Sequence, residues 1–313
     1  EEEYLSGEIL GRQLGISRMA VSKAVKRLAG LGVPIASVTG KGYRLEYPVQ
    51  LLDKDYLKAY LNKQVLAGVT LHILDSVSST SDYLLDLQPF HGVAGMVCLT
   101  ERQGAGRGRR GRGWVSTPYR NVIMSIAWQF DNGLADLAGL GVAAGITIVN
   151  VLHRLGFDHQ IGLKWPNDIV WMGRKLGGVL IDVRGQHDGP CTAVLGLGLN
   201  LSLIDSDAAL IEQPYATLES IHHEDVDRNE VIALLVGSLL DTFRNYSQSG
   251  FLPWQEQWHT HDRLIGKPVI VLQGDKEING RAAGINDQGA LVLIKDDGNS
   301  EIYYSGEVSL RPA

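Results

Sequence analysis

The chain has 313 residues and carries 29 Lys+Arg against 35 Asp+Glu, a formal net charge of −6. That length exceeds one small domain, and 44% hydrophobic with 20% charged residues is ordinary for a globular protein with a sizeable buried core. Evenly spread negative charge would argue against a nucleic-acid partner. The charge is not evenly spread.

Residues 12–44 contain Arg12, Arg18, Lys23, Lys26, Arg27, Lys41 and Arg44 and no Asp or Glu, so this stretch is +7 and the remainder −13. A basic head on an acidic body predicts two jobs on one chain. The two cysteines, Cys98 and Cys191, fit neither a disulfide framework nor a CxxC metal site. The uncharged run 137–152 is interrupted by Thr147, Asn150 and several glycines, which predicts a buried helix rather than a membrane span. No secretory leader precedes Ser6, so the cytoplasm is the expected compartment, with no membrane partner. The chain begins at Glu1 rather than Met, which reads as a fragment with its true start upstream.

In chain order, residues 6–28 place Ile9, Leu10 and Leu14 at helical spacing, break at Gly15-Ile16-Ser17, and resume the period with Ala20, Val21, Val25 and Leu28. This predicts helix, tight turn, helix, with Gly15 in the left-handed turn and Ser17 as the N-cap. The second helix has Ser17 at its start and Arg18, Ser22, Lys23 and Lys26 on its polar side, where a helix-turn-helix meets phosphates and base edges. Residues 33–38 and 43–45 flank Thr39-Gly40-Lys41-Gly42, a hairpin wing tipped by Lys41. A solvated basic face would show many of the same lysines. Turn, cap, wing and the lack of acidic residues together favour DNA. Only residues 1–5 precede the first helix, where such domains usually have another. Pro48 and residues 50–53 read as a linker, and residues 51–61 as a short helix.

In the body, strands are predicted at 69–74, 95–100, 122–128, 161–164, 168–172, 176–183 and 192–199, and helices at 79–87 and 135–155. Several strands are separated only by turns, so the class is α+β with a mixed sheet. Residues 228–248 read as a long helix with Trp254 and Trp258 beyond it. Four short strands, 269–272, 278–283, 290–294 and 301–304, then alternate with turn signals.

Four segments of the body carry chemistry. Ser78-Ser79-Thr80-Ser81-Asp82 opens a helix after a strand, bringing hydroxyls and backbone N–H groups together; alone it could be only an N-cap. GAGRGRRGRGW (104–114), preceded by Gln103, alternates glycine with Arg107, Arg109, Arg110 and Arg112. Glycine allows close backbone approach and arginine supplies forked donors, so the loop can fold over an anion. A disordered RGG-type tail would look similar, but strands flank this segment closely on both sides. KWPND (164–168) brings Lys164, Asn167 and Asp168 to a strand end, a group suited to triphosphate with Mg²⁺ or simply to a turn. GRKLGGVL (173–180) and GLGLN (196–200) put Lys175 among glycines, where it is either a ligand-facing cation or an exposed hairpin lysine. His222-His223 and His259-x-His261 read as surface residues.

SGEILGRQLGISR, GKGY, SST, GAGRGRRGRGW, KWPND, GRKLGGVLI and GLGLNL together resemble the bacterial bifunctional biotin–protein ligases that double as biotin-operon repressors, over nearly the whole chain. The resemblance implies a winged helix-turn-helix at 1–48, a class II synthetase-like mixed-sheet catalytic domain at 49–264, and a C-terminal SH3-like β-barrel at 265–313. It implies that biotin and ATP form biotinyl-5′-AMP and pyrophosphate, and that a lysine of the biotin carboxyl carrier protein of acetyl-CoA carboxylase then attacks the adenylate. The adenylate would also act as corepressor, favouring a homodimer on biotin operator DNA.

By resemblance, Ser79, Thr80, Ser81, Gln103, Gly106, Gly178 and Gly196 form the biotin and biotinyl-AMP site. Arg107, Gly108 and Arg109 close over the intermediate, and Lys175 contacts carboxylate and phosphate. Lys175, Arg109 and Asp168 are the implied catalytic set. Arg112, Lys164, Asn167, Asn200, Tyr215 and Arg311 are the implied ATP contacts, with Asn167 and Asp168 also holding Mg²⁺. Two departures stand out: Ser81 where the family often has Asn, and Gly177 where it often has Ala. Gly177 is expected to leave extra room. The competing readings are a non-catalytic biotin-sensing transcription factor and a lipoate-type ligase.

Overall fold

The computed structural model describes residues 4–63, 68–87, 95–131, 133–185, 189–222, 226–305 and 308–312. The head consists of α1 (Gly7–Leu14), α2 (Arg18–Gly30), β1 (Ile35–Val38) and β2 (Gly42–Leu45). Ser6 caps α1 by accepting from the Ile9 N–H, Gly15 ends it at φ 67°, and Ser17 caps α2 by accepting from Ala20. β1 and β2 form the antiparallel wing, and Leu5 bridges to Tyr43 through two backbone hydrogen bonds of 2.9 Å.

The body begins with α3 (Lys54–Lys63) and β3 (Val69–Val77), followed by α4 (Thr80–Asp86), β4 (Gly95–Gln103) and β5 (Asn121–Phe130). A 3₁₀ turn at Leu134–Leu137 leads into α5 (Leu140–Arg154), so the single long helix expected from the sequence is broken at 138–139. Then come β6 (Ile161–Lys164), β7 (Asp168–Trp171), β8 (Arg174–Gly185) and β9 (Cys191–Asn200). Short α6 (Asp205–Ala208) and α7 (Leu218–Ile221) precede α8 (Arg228–Ser249) and α9 (Leu252–His261). Seven strands form one mixed sheet in the order β3-β4-β5-β9-β8-β7-β6, with β3 and β4 parallel and the other pairs antiparallel.

The GLGLNL motif shows how the sheet makes a site on one side only. Leu195, Leu197 and Leu199 point into the main core with α5 and α8, while Gly196 and Gly198 alternate onto the opposite face, where α4 packs over Cys98, Ala127 and Val194. Residues 134–154 are long and apolar enough to cross a membrane, but the run is largely buried in this core, as expected. The last unit is a five-stranded antiparallel sheet of β10 (Pro268–Gln273), β11 (Lys276–Ile285), β12 (Leu291–Lys295), β13 (Ser300–Tyr303) and β14 (Ser309–Pro312), in the order β13-β12-β11-β10-β14. It docks on the body where Trp165 Nε1 donates to the Gly289 carbonyl at 3.0 Å. The winged helix, mixed-sheet and small β-unit architecture is the α+β class expected.

Candidate active site

A cavity of about 1160 Å³ lies on the α4 face of the sheet and reaches the seam with the small β unit. One end is neutral. Ser79 caps α4 and accepts from the Asp82 N–H, while the Thr80 N–H donates to Gln103 Oε1 at 2.9 Å. Below them the Thr80 and Ser81 hydroxyls lie 2.7 and 3.0 Å from Ser125 Oγ. All three hydroxyl residues are buried, so this network is satisfied internally and held away from water. A Cβ on Gly196 would approach Ser81 Oγ to 2.7 Å, so glycine there leaves the floor open. Gly198 leaves no room for a Cβ against the Trp114 ring.

The other end is charged. The β7–β8 hairpin turns through Met172 and Gly173, both at positive φ. An irregularity in the ladder leaves Leu176 without an opposite number, since Lys175 faces Val170 and Gly177 faces Ile169. Such a bulge flips the alternation and re-aims Lys175 to the cavity face. Lys175 Nζ then lies 2.6 Å from Asp168 Oδ1 and 5.8 Å from the Trp114 ring centre, with Lys164 Nζ 3.6 Å from Asp168 Oδ2. The bond from Asn167 Nδ2 to the Val179 carbonyl, 2.6 Å, ties the KWPND turn to β8.

The glycine-arginine loop bridges the two ends. Gly108 N–H donates to the Arg112 carbonyl and Trp114 N–H to that of Gly106, so the segment folds back on itself. Arg107 Nη2 donates to Asp82 and Asp182 at 2.7 and 2.8 Å. Arg109 Nη2 donates to the carbonyls of Ser305 and, at 2.9 Å, Val308 of the small β unit. Burial, followed by the neighbouring Arg110 charge, lowers the Arg109 guanidinium below its ordinary value.

Ser79, Thr80, Ser81, Gln103, Arg107, Gly108, Arg109, Arg112, Lys164, Asn167, Asp168, Lys175, Gly178, Gly196 and Arg311 therefore share one cavity, although they span the chain from 79 to 311. Three residues named from the sequence do not line it. Gly106 lies behind the wall, where a Cβ would meet the Trp114 carbonyl at 2.7 Å and Gln103 Nε2 at 2.8 Å. Asn200 is buried, accepting from Asn121 and donating to the Ala216 carbonyl, so its amide is spent on structure. Tyr215 meets Lys175 through a backbone bridge, and its neighbours Glu212, Gln213 and Pro214 face the cavity instead.

Two further expectations are corrected. Gly177 leaves no extra room: a Cβ there would meet the Gly198 carbonyl at 2.8 Å and Leu199 Cδ1 at 3.0 Å. His261 is not a surface residue but is buried on α9, its Nε2 2.9 Å from Asn150 Oδ1 and its Nδ1 without a partner among the described residues. His259 is exposed and His222 half-buried, and His223 lies outside the described residues.

The sequence reading missed Ser125, Trp114, Arg263 and Lys267. Ser125 sits in an otherwise apolar strand, and that break in a buried run was the available signal. Arg263 and Lys267 come from the seam before β10, which nothing local links to the cavity.

Among the described residues no three His, Cys, Asp or Glu side chains gather in a metal-holding group. Asp168 is one carboxylate already engaged by two lysines. That suits a Mg²⁺ arriving on a nucleotide triphosphate, which needs only one or two protein oxygens, rather than a resident metal. In the head, Arg18, Lys23, Lys26 and Lys41 are exposed, Ser22 is half-buried, and Ser17 is exposed at the start of α2.

The chain matches three family models: the biotin/lipoate A/B protein ligase family at 73–200, the biotin protein ligase C-terminal domain at 264–311, and a helix-turn-helix domain at 1–44. It is 37% identical to the bifunctional ligase/repressor BirA of Escherichia coli over 99% of this chain and 94% of that protein. It is 30% identical to the biotin–[acetyl-CoA-carboxylase] ligase of Paracoccus denitrificans over 75% of this chain and all of that one. The biotin protein ligase of Aquifex aeolicus, solved with biotin and ATP, shares the fold with a TM-score of 0.64 at 23% identity, covering 78% of this chain and 99% of that one. The cavity's neutral and charged halves, its arginine loop and the basic head thus sit in a chain that belongs to the family of bifunctional biotin–protein ligases and repressors.

Proposed function

We propose that the neutral end of the cavity holds the biotin head and the charged end holds ATP, so that biotin's carboxylate meets the α-phosphate beside Lys175. The chain is an ATP-dependent biotin–[acetyl-CoA-carboxylase] ligase and a DNA-binding repressor. The single observation that supports the residue roles is the meeting of two unlike ends in one cavity under the arginine loop.

Thr80, Ser81 and Gln103 offer hydrogen bonds to a neutral, polar bicyclic head, and Gly178 and Gly196 leave space for it. Lys175 neutralises charge that develops on the carboxylate and phosphate, with Asp168 fixing its position. Lys164, Asn167, Arg112 and Arg311 face the triphosphate, and Asp168 and Asn167 would hold a Mg²⁺ that offsets its charge. Arg109 and Gly108 cover the biotinyl-5′-AMP, which shields the mixed anhydride from water until a carrier lysine attacks it.

Ser17, Arg18, Ser22, Lys23, Lys26 and Lys41 meet operator DNA. The adenylate-bound chain forms a homodimer in the cytoplasm, without a membrane partner. The functional units run 1–48, 49–264 and 265–313.

Incubation with ATP, Mg²⁺, biotin and the carrier domain tests the reading, with lipoate in a parallel arm. Biotin label on the carrier is expected. Tight biotin binding without label would favour a sensor that has lost catalysis, and label from lipoate alone would favour a lipoate-type ligase. Sedimentation with and without biotinyl-5′-AMP tests the dimer, and unchanged mass would count against it.

A further inference from the structure

We infer that Arg107 is the anchor of a strap across the cavity rather than a ligand of the adenylate, and that Asp82 and Asp182 are the positioning residues that hold it. The inference rests on the ligase reading given above.

Both short contacts of Arg107 come from one nitrogen: Nη2 donates to Asp82 Oδ1 at 2.7 Å and to Asp182 Oδ2 at 2.8 Å. Both hydrogens of that nitrogen are taken by carboxylates, and the two aspartates offset the guanidinium's charge, which weakens the pull of Nη1 and Nε on a phosphate. The two carboxylates come from two elements that meet at the neutral end, α4 and β8. Asp82 is in the first turn of α4, next to the hydroxyls at the neutral end. Asp182 is on β8, seven residues past Lys175 and opposite Val194, which packs against Leu84 and Leu85 of α4. The segment between Gln103 and Trp114 has five glycines, so its backbone has little stiffness of its own. Its side-chain ties include Arg107 to α4 and β8 at one end and Arg109 to the small β unit at the other.

Each Arg107 pair is partly open to water, with side-chain exposures of 40%, 47% and 28% for Arg107, Asp82 and Asp182. Such pairs add little to global stability. What the three-membered network fixes is the position of a flexible loop, where a small energy has a large effect on how long a covered ligand stays.

The sign of one experiment separates the two roles. An aspartate near an anion repels it, so if Arg107 bound phosphate directly, Asp82→Asn and Asp182→Asn would free the guanidinium, remove repulsion and lengthen adenylate retention. A strap that loses its anchors opens instead. Preformed, radiolabelled biotinyl-5′-AMP is loaded on the full chain and its release followed, alongside pyrophosphate formation in the first turnover. In the Asp82→Asn/Asp182→Asn double variant, release should accelerate at least tenfold while first-turnover pyrophosphate formation falls less. Restoring the charge with Asp182→Glu in the Asp82 background should recover most of the retention. Salt should speed release from the wild type more than from the double variant, because the wild type alone has the screened pairs. Unchanged or slower release in the double variant, or an equal fall in both rates, would overturn the inference. Failure of the wild type to make or bind any adenylate would remove the ligase reading and the inference with it.

Discussion

The two ends of the cavity are built on opposite principles. At the neutral end Thr80, Ser81 and Ser125 are buried and close a hydroxyl network, and glycines set the volume. At the other end lysines and arginines line the cavity up to the seam with the small β unit. A neutral ligand gives no long-range attraction, so selection must come from fit and from the cost of leaving buried polar groups unpaired. A polyanion is drawn by charge, and tight fit matters less. The lesson is that tolerance to substitution should differ sharply between the ends, and in kind.

The largest expected effect is at the charged end, where Lys175→Ala should lower adenylate formation by about 10²–10³-fold, as loss of one preorganised charge stabilising a transition state does. Biotin binding measured by calorimetry should be nearly intact; loss of biotin affinity in step with rate would merge the two ends. At the neutral end, Gly196→Ala pushes a methyl against Ser81 Oγ, and biotin's KM should rise roughly 10- to 100-fold for a steric cost of about 1–3 kcal/mol, with ATP's KM little moved.

Ser125→Ala removes the hub of the hydroxyl network. Leaving Thr80 and Ser81 short of a partner should cost about 1–3 kcal/mol in thermal unfolding, and biotin should recover part of it on binding. Raising salt from 50 to 500 mM should weaken ATP binding much more than biotin binding, since biotin brings one charge and ATP several.

The effect furthest from the chemistry lies outside the cavity and shows only on acidification. Burial, with the charges of His153 and Arg263, lowers His261 to about 4. The unfolded chain therefore binds a proton that the folded chain refuses. This contribution is fully present above about pH 6.5 and is lost as pH falls toward 4, by up to about 3 kcal/mol. Unfolding midpoints of wild type and His261→Gln compared between pH 7 and 4.5 should show a flatter slope in the variant.

Much of this was legible in local pattern. Gly15 and Ser17 mark the helix-turn-helix, and alternating leucine and glycine in β9 separates core from cavity. Lys175 was legible as a cation among glycines, but the bulge that aims it was not, because it depends on pairing between β7 and β8. Asn200 and Gly177 were misread for a related reason: whether an amide or a missing methyl serves ligand or packing depends on the strand next door. His261 looked like a polar helix end, and only α5 and α9 packing together buries it. Arg263 and Lys267 reach the cavity through a domain seam that no local spacing encodes.

One feature of the attachment between head and body has a mechanical meaning. Glu101 accepts from the Leu52 N–H and from the buried Arg228 guanidinium, both at 2.6 Å, and Arg228 also holds the Gln50 carbonyl. Nearby, Arg102 and Tyr119 donate to the carbonyls of Gly30 and Leu31 at the end of α2. The linker is thus riveted on the far side of the head while the recognition helix leans on the strand that ends at Gln103. These contacts brace the head against the body. The head's angular freedom is spent during folding and need not be lost again on DNA. In the proposed homodimer the distance between two such heads would be set by how two bodies meet, the spacing of operator half-sites would be a property of the catalytic domain, and shifting it would call for mutations far from any base contact.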